Sequence, residues 1–134
     1  KYDDGEFRID AVSTDGGSYP RNVAIERTMA LVSFGALSLS EAVVKLSVSP
    51  AQMIGLLNKG HFSVGADGDV TIVDSANGKA VMSLVNGVPI MINGRAVGKG
   101  GTWIVTSQGE KAAQKSGLAY EILDLSDSKL YSGW

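Results

Sequence analysis

The 134-residue sequence contains no cysteine, one histidine and three prolines. Without cysteine it has neither a disulfide framework nor a thiolate metal site, which fits a cytoplasmic protein. The first residues are acidic and include no apolar signal core, and no apolar run approaches the length of a membrane span. The net charge of −2 does not indicate the basic surface that nucleic-acid binding requires. We therefore predict that the protein binds neither nucleic acid nor membrane.

The composition that remains is that of a globular protein. Hydrophobic residues make up 44% of the chain and charged residues 19%, which suits a packed core and argues against disorder. The length fits one ordinary domain or a piece of a larger one. The 17 glycines are unusually many and lie mostly after Gly55. There they predict tight turns between short strands, since glycine adopts positive φ at low cost.

The first third of the chain predicts one strand and three helices. Residues 7–14 (FRIDAVST) have the pattern of a strand, and residues 15–18 (DGGS) are a loop signal. Apolar residues recur at helical spacing over 22–34, with Gly35 as a plausible C-cap.

A second helix begins at Ser38 to Glu41, with either Ser38 or Ser40 as its cap, and continues to about Val48. A third helix is predicted with Ser49 at the N-cap and Pro50 at the first helical position, and it stops at Gly55.

Beyond Gly60 the pattern predicts a meander of short strands. The two Asn-Gly pairs, at 86–87 and 93–94, are hairpin signals, and Pro89 suggests an edge or a bulge. Residues 98–101 (GKGG) lack the strand-loop-helix context of a phosphate loop and read as a hairpin connection. The predicted strands are 61–64, 70–73, 81–85, 88–92, 95–97, 102–106 and 120–123, with a short helix over 109–116 that Gly117 stops.

Several short motifs follow one another along the chain. They are Ser13-Thr14-Asp15, Ser38-Leu39-Ser40-Glu41-Ala42, Ser49-Pro50-Ala51 with Gly55-Leu56, Gly60 with Gly65, Asp67 and Asp69, and Val85-Asn86-Gly87. Taken in this order, they resemble the metal-dependent amidohydrolases, the superfamily of hydantoinases, dihydroorotases and N-acyl deacetylases. The chain departs from the family pattern at Gly68, where alanine or proline is usual, and at Ser49, where asparagine is common.

The resemblance implies an α+β piece of a longer enzyme. Residues 1–57 would be the C-terminal part of a (β/α)8 barrel, comprising its eighth strand and the following helices. Residues 58–134 would be a portion of the small composite β-sandwich with a C-terminal tail. The joint between the two parts lies within residues 50–74 (PAQMIGLLNKGHFSVGADGDVTIVD).

The resemblance also implies a function, the hydrolysis of an amide or cyclic amide C–N bond in a small molecule. Water activated by one or two divalent metal ions, commonly zinc, would attack the carbonyl. Asp15 would be a metal ligand and the general base, at the end of a barrel strand where catalytic side chains lie. The family's other ligands have no counterpart here, since His61 is the single histidine. We therefore expect this chain alone to bind no catalytic metal tightly and to be inactive.

Other candidate residues have both a functional and a structural interpretation. Asp15 itself suits an Asx turn or a helix cap. Gly16, Gly17 and Ser18 would either bring backbone amides to a substrate or only turn the chain. Arg21 would either bind a substrate carboxylate or lie on the surface at a helix start.

For the remaining polar residues the structural interpretation is favoured. Asp67 and Asp69 are predicted to serve the turn and the strand start, and Asp10 to be structural or an ion-pair partner. His61 is predicted to be a solvated residue at a strand start.

Two alternatives to a C–N hydrolase stay open. The chain would be a non-catalytic β-rich module for packing or self-association, since apolar helix and strand faces favour a homo-oligomer. Alternatively, the parent enzyme would act on another bond, as a deaminase or a phosphotriesterase-like hydrolase of the same superfamily.

Overall fold

The computed structural model describes residues 1–2, 4–18 and 20–130. Its secondary structure places three helices first and then six strands, with a fourth helix between the last two strands, an α+β arrangement as predicted. None of the described helices is long and apolar enough to span a membrane. The helices are α1 (Ala24–Ser33), α2 (Leu39–Leu46), α3 (Val48–Met53) and α4 (Glu110–Ser116), with 3-10 turns at Arg21–Val23, Ser107–Gly109 and Leu125–Asp127. The strands are β1 (Val70–Asp74), β2 (Lys79–Val85), β3 (Val88–Ile92), β4 (Arg95–Ala96), β5 (Trp103–Val105) and β6 (Tyr120–Ile122).

Helix α1 ends as its sequence predicts. Gly35 adopts a φ of +73°, the left-handed conformation that glycine favours after a helix. Its N–H donates to the Val32 carbonyl at 2.9 Å, and the Ala36 N–H donates to the Leu31 carbonyl at 2.9 Å. These two bonds satisfy carbonyls that have no partner inside the helix.

Helix α2 begins with a capping box, which identifies Ser38 rather than Ser40 as the cap. The Glu41 N–H donates to Ser38 Oγ at 3.2 Å, and the Ser38 N–H donates to Glu41 Oε2 at 2.7 Å. Lys1 Nζ lies 3.2 Å from Glu41 Oε1. The carboxylate also suits the positive end of the helix dipole.

The capping box gives a pH-dependent prediction for Glu41. Hydrogen bonds from the Ser38 backbone and then its side chain lower the pKa of Glu41 from 4.5 to about 2. Because the folded pKa is below the unfolded one, the stabilisation is complete above a pH of about 4.5 and is lost as the pH falls toward 2. An NMR titration of the Glu41 carboxyl is expected to show the low midpoint. In a Glu41→Gln variant the free energy of unfolding should lose part of its dependence on pH in that window, and an ordinary midpoint in the wild type would contradict the prediction.

Helix α3 starts two residues earlier than predicted, at Val48 rather than Pro50. Ser47, not Ser49, is the N-cap residue, and it makes no side-chain capping bond. Ser49 lies inside the helix. Pro50 is at the third helical position, where its missing N–H costs no intrahelical bond because the first-turn N–H groups have no intrahelical acceptor. The chain turns at Ser47, whose φ is −130° and ψ −73°, and α2 and α3 contact each other on either side of this turn.

Strands β1 to β4 form an antiparallel sheet in the order β1-β2-β3-β4. The Asn-Gly pairs form both predicted turns, with φ of +49° and +75° at 86–87 and +48° and +75° at 93–94, as type I′ hairpins require. Pro89 faces Leu84 beside a register shift between Ser83 and Leu84. The predicted bulge is therefore present, because proline has no N–H for a regular ladder.

The C-terminal strands do not continue this meander, so residues 98–101 are not a hairpin connection. They lead from β4 to β5, which lies in a second sheet and pairs in parallel with β6. Helix α4 connects these two strands, and Gly117 ends it with a φ of +69° as predicted. Parallel strands need a crossover connection, and here α4 supplies it. Strands β5 and β6 and helix α4 therefore form a βαβ unit.

Two predicted strands are absent from the structure. Residues 7–14 form bends and irregular backbone, and no described strand pairs with them. An isolated strand leaves its backbone groups unpaired, so strand propensity alone does not suffice. Residues 61–64 are likewise turn and bend, with Phe62 84% exposed and Val64 fully exposed. Their apolar side chains have no surface to pack against.

The segment after β6 returns to the end of α3, across the predicted boundary between residues 57 and 58. The Lys129 N–H donates to the Gln52 carbonyl at 3.1 Å, and the buried Ser128 hydroxyl donates to the Met53 carbonyl. These bonds satisfy carbonyls at the C-terminal end of α3. The two predicted parts of the chain are therefore in contact here.

Candidate functional site

Asp15 lies in an exposed turn rather than at the end of a strand. Its φ is +47°, a conformation that aspartate and asparagine tolerate better than most residues. Its carbonyl accepts a hydrogen bond from the Ser18 N–H at 2.9 Å, and its own N–H points at Ser13 Oγ at 3.4 Å. The side chain is exposed to solvent. The carboxylate is thus accessible to a ligand, and the backbone around it is held by local bonds.

Lys45 on α2 fixes the backbone that leads to this turn. Its ammonium donates to the Ile9 carbonyl at 2.6 Å, and its own carbonyl accepts from the Val12 N–H at 3.1 Å. The Phe7 ring lies between two ammonium groups, 4.3 Å from Lys45 Nζ and 4.2 Å from Lys1 Nζ. A side chain that is 7% exposed therefore anchors residues 7–12 by a hydrogen bond and a cation–π contact. In the sequence, Lys45 stands out because it follows three apolar residues, Ala42 to Val44, and precedes a fourth, Leu46.

Residues 16–18 complete the turn. The Ser18 N–H is used by the Asp15 carbonyl, which supports the turn interpretation for that residue. The Arg21 side chain crosses over Gly16, because a Cβ built on Gly16 would lie 2.6 Å from Arg21 Nε. Gly17 has no described atom near its missing side chain. Arg21 is the basic residue of the segment 13–21, and its side chain lies against the Asp15 turn.

The described residues do not fit a metal centre. Among residues 1–2, 4–18 and 20–130, no three histidine, cysteine, aspartate or glutamate side chains come close enough together to hold a metal ion. Zinc sites take three or four such ligands. Asp15 supplies one carboxylate and lacks companions in this part of the protein.

Asp67 and Asp69 bind a lysine of the same chain. Lys59 Nζ lies 2.5 Å from Asp67 Oδ2 and 3.0 Å from Asp69 Oδ2, and Asp69 Oδ1 accepts the Asn86 N–H at 2.9 Å. The Gly87 N–H donates to the Gly68 carbonyl at 2.8 Å. The pair therefore ties the joint to the β2–β3 turn, as the structural interpretation predicted. Lys59 was missed, although it precedes the two carboxylates closely in sequence.

The pKa shifts of Lys59 and Asp69 are those expected when opposite charges are in direct contact. Burial by itself would lower the pKa of Lys59, but the hydrogen bonds to Asp67 and Asp69 outweigh burial and raise it. Burial would raise the pKa of Asp69, and the Asn86 N–H and Lys59 outweigh it and lower it. Each group is held in its charged form at neutral pH, so neither is poised to transfer a proton.

His61 has both ring nitrogens occupied by backbone groups. The Ser63 N–H donates to Nδ1 at 3.3 Å, and Nε2 lies 2.8 Å from the Leu57 carbonyl. An acceptor at Nδ1 and a donor at Nε2 describe the neutral ring with its proton on Nε2. His61 therefore lies in a bend rather than at the start of a strand, and its ring is held by the backbone of residues 57 and 63.

A cleft on the described part of the chain lies away from Asp15. It is open, about 530 Å³ in volume, and lies between the N-terminal segment and α2. It is lined by Asp4, Gly5, Glu6, Phe7, Ile9, Asp10, Glu41 and Lys45. Its Lys45 is engaged with the Ile9 carbonyl and its Glu41 with the capping box, so these two side chains serve the fold.

Comparison with known proteins gives partial matches. No family model matches the chain. A dihydroorotase from Citrifermentans bemidjiense is 42% identical over 53 residues, 40% of this chain. A dihydroorotase from Pelotomaculum thermopropionicum is 46% identical over 44 residues, 33% of this chain. A solved structure, described as the structure of D-hydantoinase, covers 62% of this chain and 23% of its own, with 23% identity and a TM-score of 0.48.

The matched stretches are short relative to these proteins. They span 12% and 10% of the lengths of the two dihydroorotases. Dihydroorotases and hydantoinases are members of the amidohydrolase superfamily. The sequence similarity to the dihydroorotases therefore confirms the resemblance of this chain to that superfamily, over the part of the chain that the matches cover.

Proposed function

We propose that this chain is the C-terminal portion of a metal-dependent amidohydrolase that hydrolyses the C–N bond of an amide or cyclic amide. The observation that carries the proposal is the 42% identity to a dihydroorotase over 53 residues. The proposal includes the division of the chain into a barrel part, 1–57, and a composite β part, 58–134. The contact of residues 128 and 129 with α3 supports a joint at which both parts pack together.

In this proposal the chain contributes one reactive group, Asp15. Its carboxylate is exposed and lies in a turn whose backbone is anchored through Lys45. An aspartate in that position can accept the proton of the attacking water and return it to the leaving amine. Gly16, Gly17 and Ser18 would line the approach of a substrate beside it, with the Arg21 side chain lying over Gly16.

The proposal also states that the 134 residues alone are inactive. The described residues do not assemble a metal site, and the remaining ligands would come from another part of the enzyme. We derive no catalytic step for this chain by itself. Its role would be to close one side of the site and to carry the residue that moves the proton.

An activity assay tests this directly. The purified chain is incubated with dihydroorotate, dihydrouracil, a hydantoin or an N-acyl amino acid, with and without Zn²⁺, and product is measured by mass spectrometry. No metal-dependent turnover is expected, and calorimetric titration with Zn²⁺ should show no tight site. The dihydroorotase from Pelotomaculum thermopropionicum serves as the active control in the same assay. Turnover by the 134-residue chain would show that it is not an inactive portion.

A further inference from the structure

Asparagine precedes glycine at three places in the chain, at residues 77–78 and in the two hairpin turns, 86–87 and 93–94. Such pairs are chemically labile, because the backbone nitrogen of the glycine can attack the asparagine Cγ. Glycine permits the attack, since it has no Cβ in the way and its backbone adopts many conformations. All three asparagines are exposed. The sequence therefore makes the three pairs equivalent, and any difference between them comes from the fold.

Two of the three glycine nitrogens are held by strong acceptors. The Gly78 N–H donates to the Asp74 carbonyl at 2.8 Å, and the Gly87 N–H donates to the Gly68 carbonyl at 2.8 Å. The side-chain amide of Asn77 is held as well, because its Nδ2 donates to Asp74 Oδ2 at 2.5 Å. Each nitrogen must lose its carbonyl partner before it can attack, and that loss costs free energy.

The third glycine nitrogen has a weak acceptor. The Gly94 N–H donates to Met91 Sδ at 3.2 Å, and a thioether sulfur is a poor hydrogen-bond acceptor. The turn also ends in a short strand, because β4 has two residues, Arg95 and Ala96, and lies at the edge of the sheet. The strands that flank the 86–87 turn, β2 and β3, have seven and five residues. A short edge strand opens locally at lower cost than a longer one.

We propose that Asn93 is a site of spontaneous deamidation that reacts ahead of Asn77 and Asn86. The Gly94 nitrogen gives its proton to hydroxide and bonds to the Asn93 Cγ. The Cγ–Nδ2 bond breaks, and the amide nitrogen leaves as ammonia with a proton from water. Water then opens the resulting succinimide ring. Attack at the side-chain carbonyl gives aspartate, and attack at the main-chain carbonyl gives isoaspartate.

The two products have different effects on the fold. Both add one negative charge to the turn. Aspartate tolerates the φ of +48° at this position, so the hairpin is retained. Isoaspartate lengthens the main chain by one carbon inside a turn whose Asn93 N–H donates to the Val81 carbonyl at 2.7 Å. It should therefore release β4 from the sheet. This inference is independent of the proposed hydrolase, because the reaction uses neither metal nor substrate.

Peptide mapping by mass spectrometry tests the proposal. The full chain is incubated at mildly alkaline pH, both native and in urea, until half of each asparagine–glycine pair in urea has reacted. In urea the three pairs should react at similar rates, since each asparagine is followed by glycine. In the native chain position 93 should react at least about tenfold faster than positions 77 and 86, whose glycine nitrogens must first leave a carbonyl.

A pair of variants adds a readout of charge by ion-exchange chromatography. Asn93→Asp and its matched control Asn86→Asp both keep an aspartate–glycine pair, which suits a type I′ turn. The native Asn93→Asp chain should accumulate further acidic species far more slowly than the wild type, whereas Asn86→Asp should accumulate them at the wild-type rate. Equal native rates at the three positions overturn the proposal, as does an unreacted position 93 in the native chain. A lead of position 93 that is as large in urea would come from local sequence and overturn it too.

Discussion

In the parent hydrolase proposed above, Asp15→Asn is expected to lower the turnover number by about 10²- to 10⁴-fold, the range for losing a general acid–base group. The substitution removes the carboxylate without disturbing the backbone, so its effect on turnover reports the side chain alone. Asp15 has a φ of +47°, and asparagine tolerates this conformation as well as aspartate does. The turn that begins with the Asp15 carbonyl and the Ser18 N–H is therefore retained, while the proton acceptor is removed.

Two controls distinguish a catalytic carboxylate from a turn residue. Asp15→Gly also favours positive φ and should be as inactive as Asp15→Asn, although its turn is intact. Asp10→Asn removes an exposed carboxylate five positions earlier on the same segment and should leave the turnover number unchanged. If the asparagine and glycine variants kept full activity, Asp15 would be a turn residue and the proposed role would be wrong. The measurement is steady-state kinetics on the intact enzyme.

Gly60→Ala is expected to lower the free energy of unfolding by about 2–5 kcal/mol, the sum of a left-handed alanine and an overpacked contact. Gly60 has a φ of +83°, and a Cβ there would lie 2.7 Å from the Ser47 carbonyl carbon and oxygen. It would also lie 2.9 Å from the Val48 nitrogen. All three are backbone atoms where α2 gives way to α3, so they cannot move aside as a flexible side chain would.

Gly35→Ala is the matched control for this prediction. Gly35 also has a positive φ, +73°, but no described atom lies within 4 Å of its missing Cβ. Its substitution should therefore cost about 1–2 kcal/mol, the conformational part alone. Urea unfolding followed by circular dichroism measures both variants. Equal losses in the two would show that the contact between Gly60 and the α2–α3 junction does not contribute.

Local sequence signals predicted the helices and hairpins well. Gly35, the Ser38–Glu41 box and the two Asn-Gly turns are each complete within about four residues, and the structure has all of them. The physical cause of each is a hydrogen bond or a φ preference between near neighbours. The shift of the α3 cap from Ser49 to Ser47 marks the limit, since this turn lies between two helices that contact each other.

The candidate site was predicted less completely. The sequence placed Asp15 in a loop signal and gave Asp67 and Asp69 structural roles, with which their contacts agree, whereas the strand start predicted at His61 is absent. It did not predict Lys59 as their partner or Lys45 as the anchor of residues 7–12. Both contacts join residues that the fold brings together, and neither has a short-range pattern. The catalytic assignment of Asp15 itself comes from the resemblance and stays a prediction.

By itself, the sequence determined the order of helices and strands, the positions of the turns and the resemblance to amidohydrolases, the last through motifs that survive in linear order. Tertiary structure alone decided that residues 7–14 stay irregular and that β5 pairs in parallel with β6. It also decided that the backbone between α2 and α3 lies so close to Gly60 that no side chain fits there. The reason is that a strand or a close contact needs a partner distant in sequence, and its free energy depends on whether the fold supplies one.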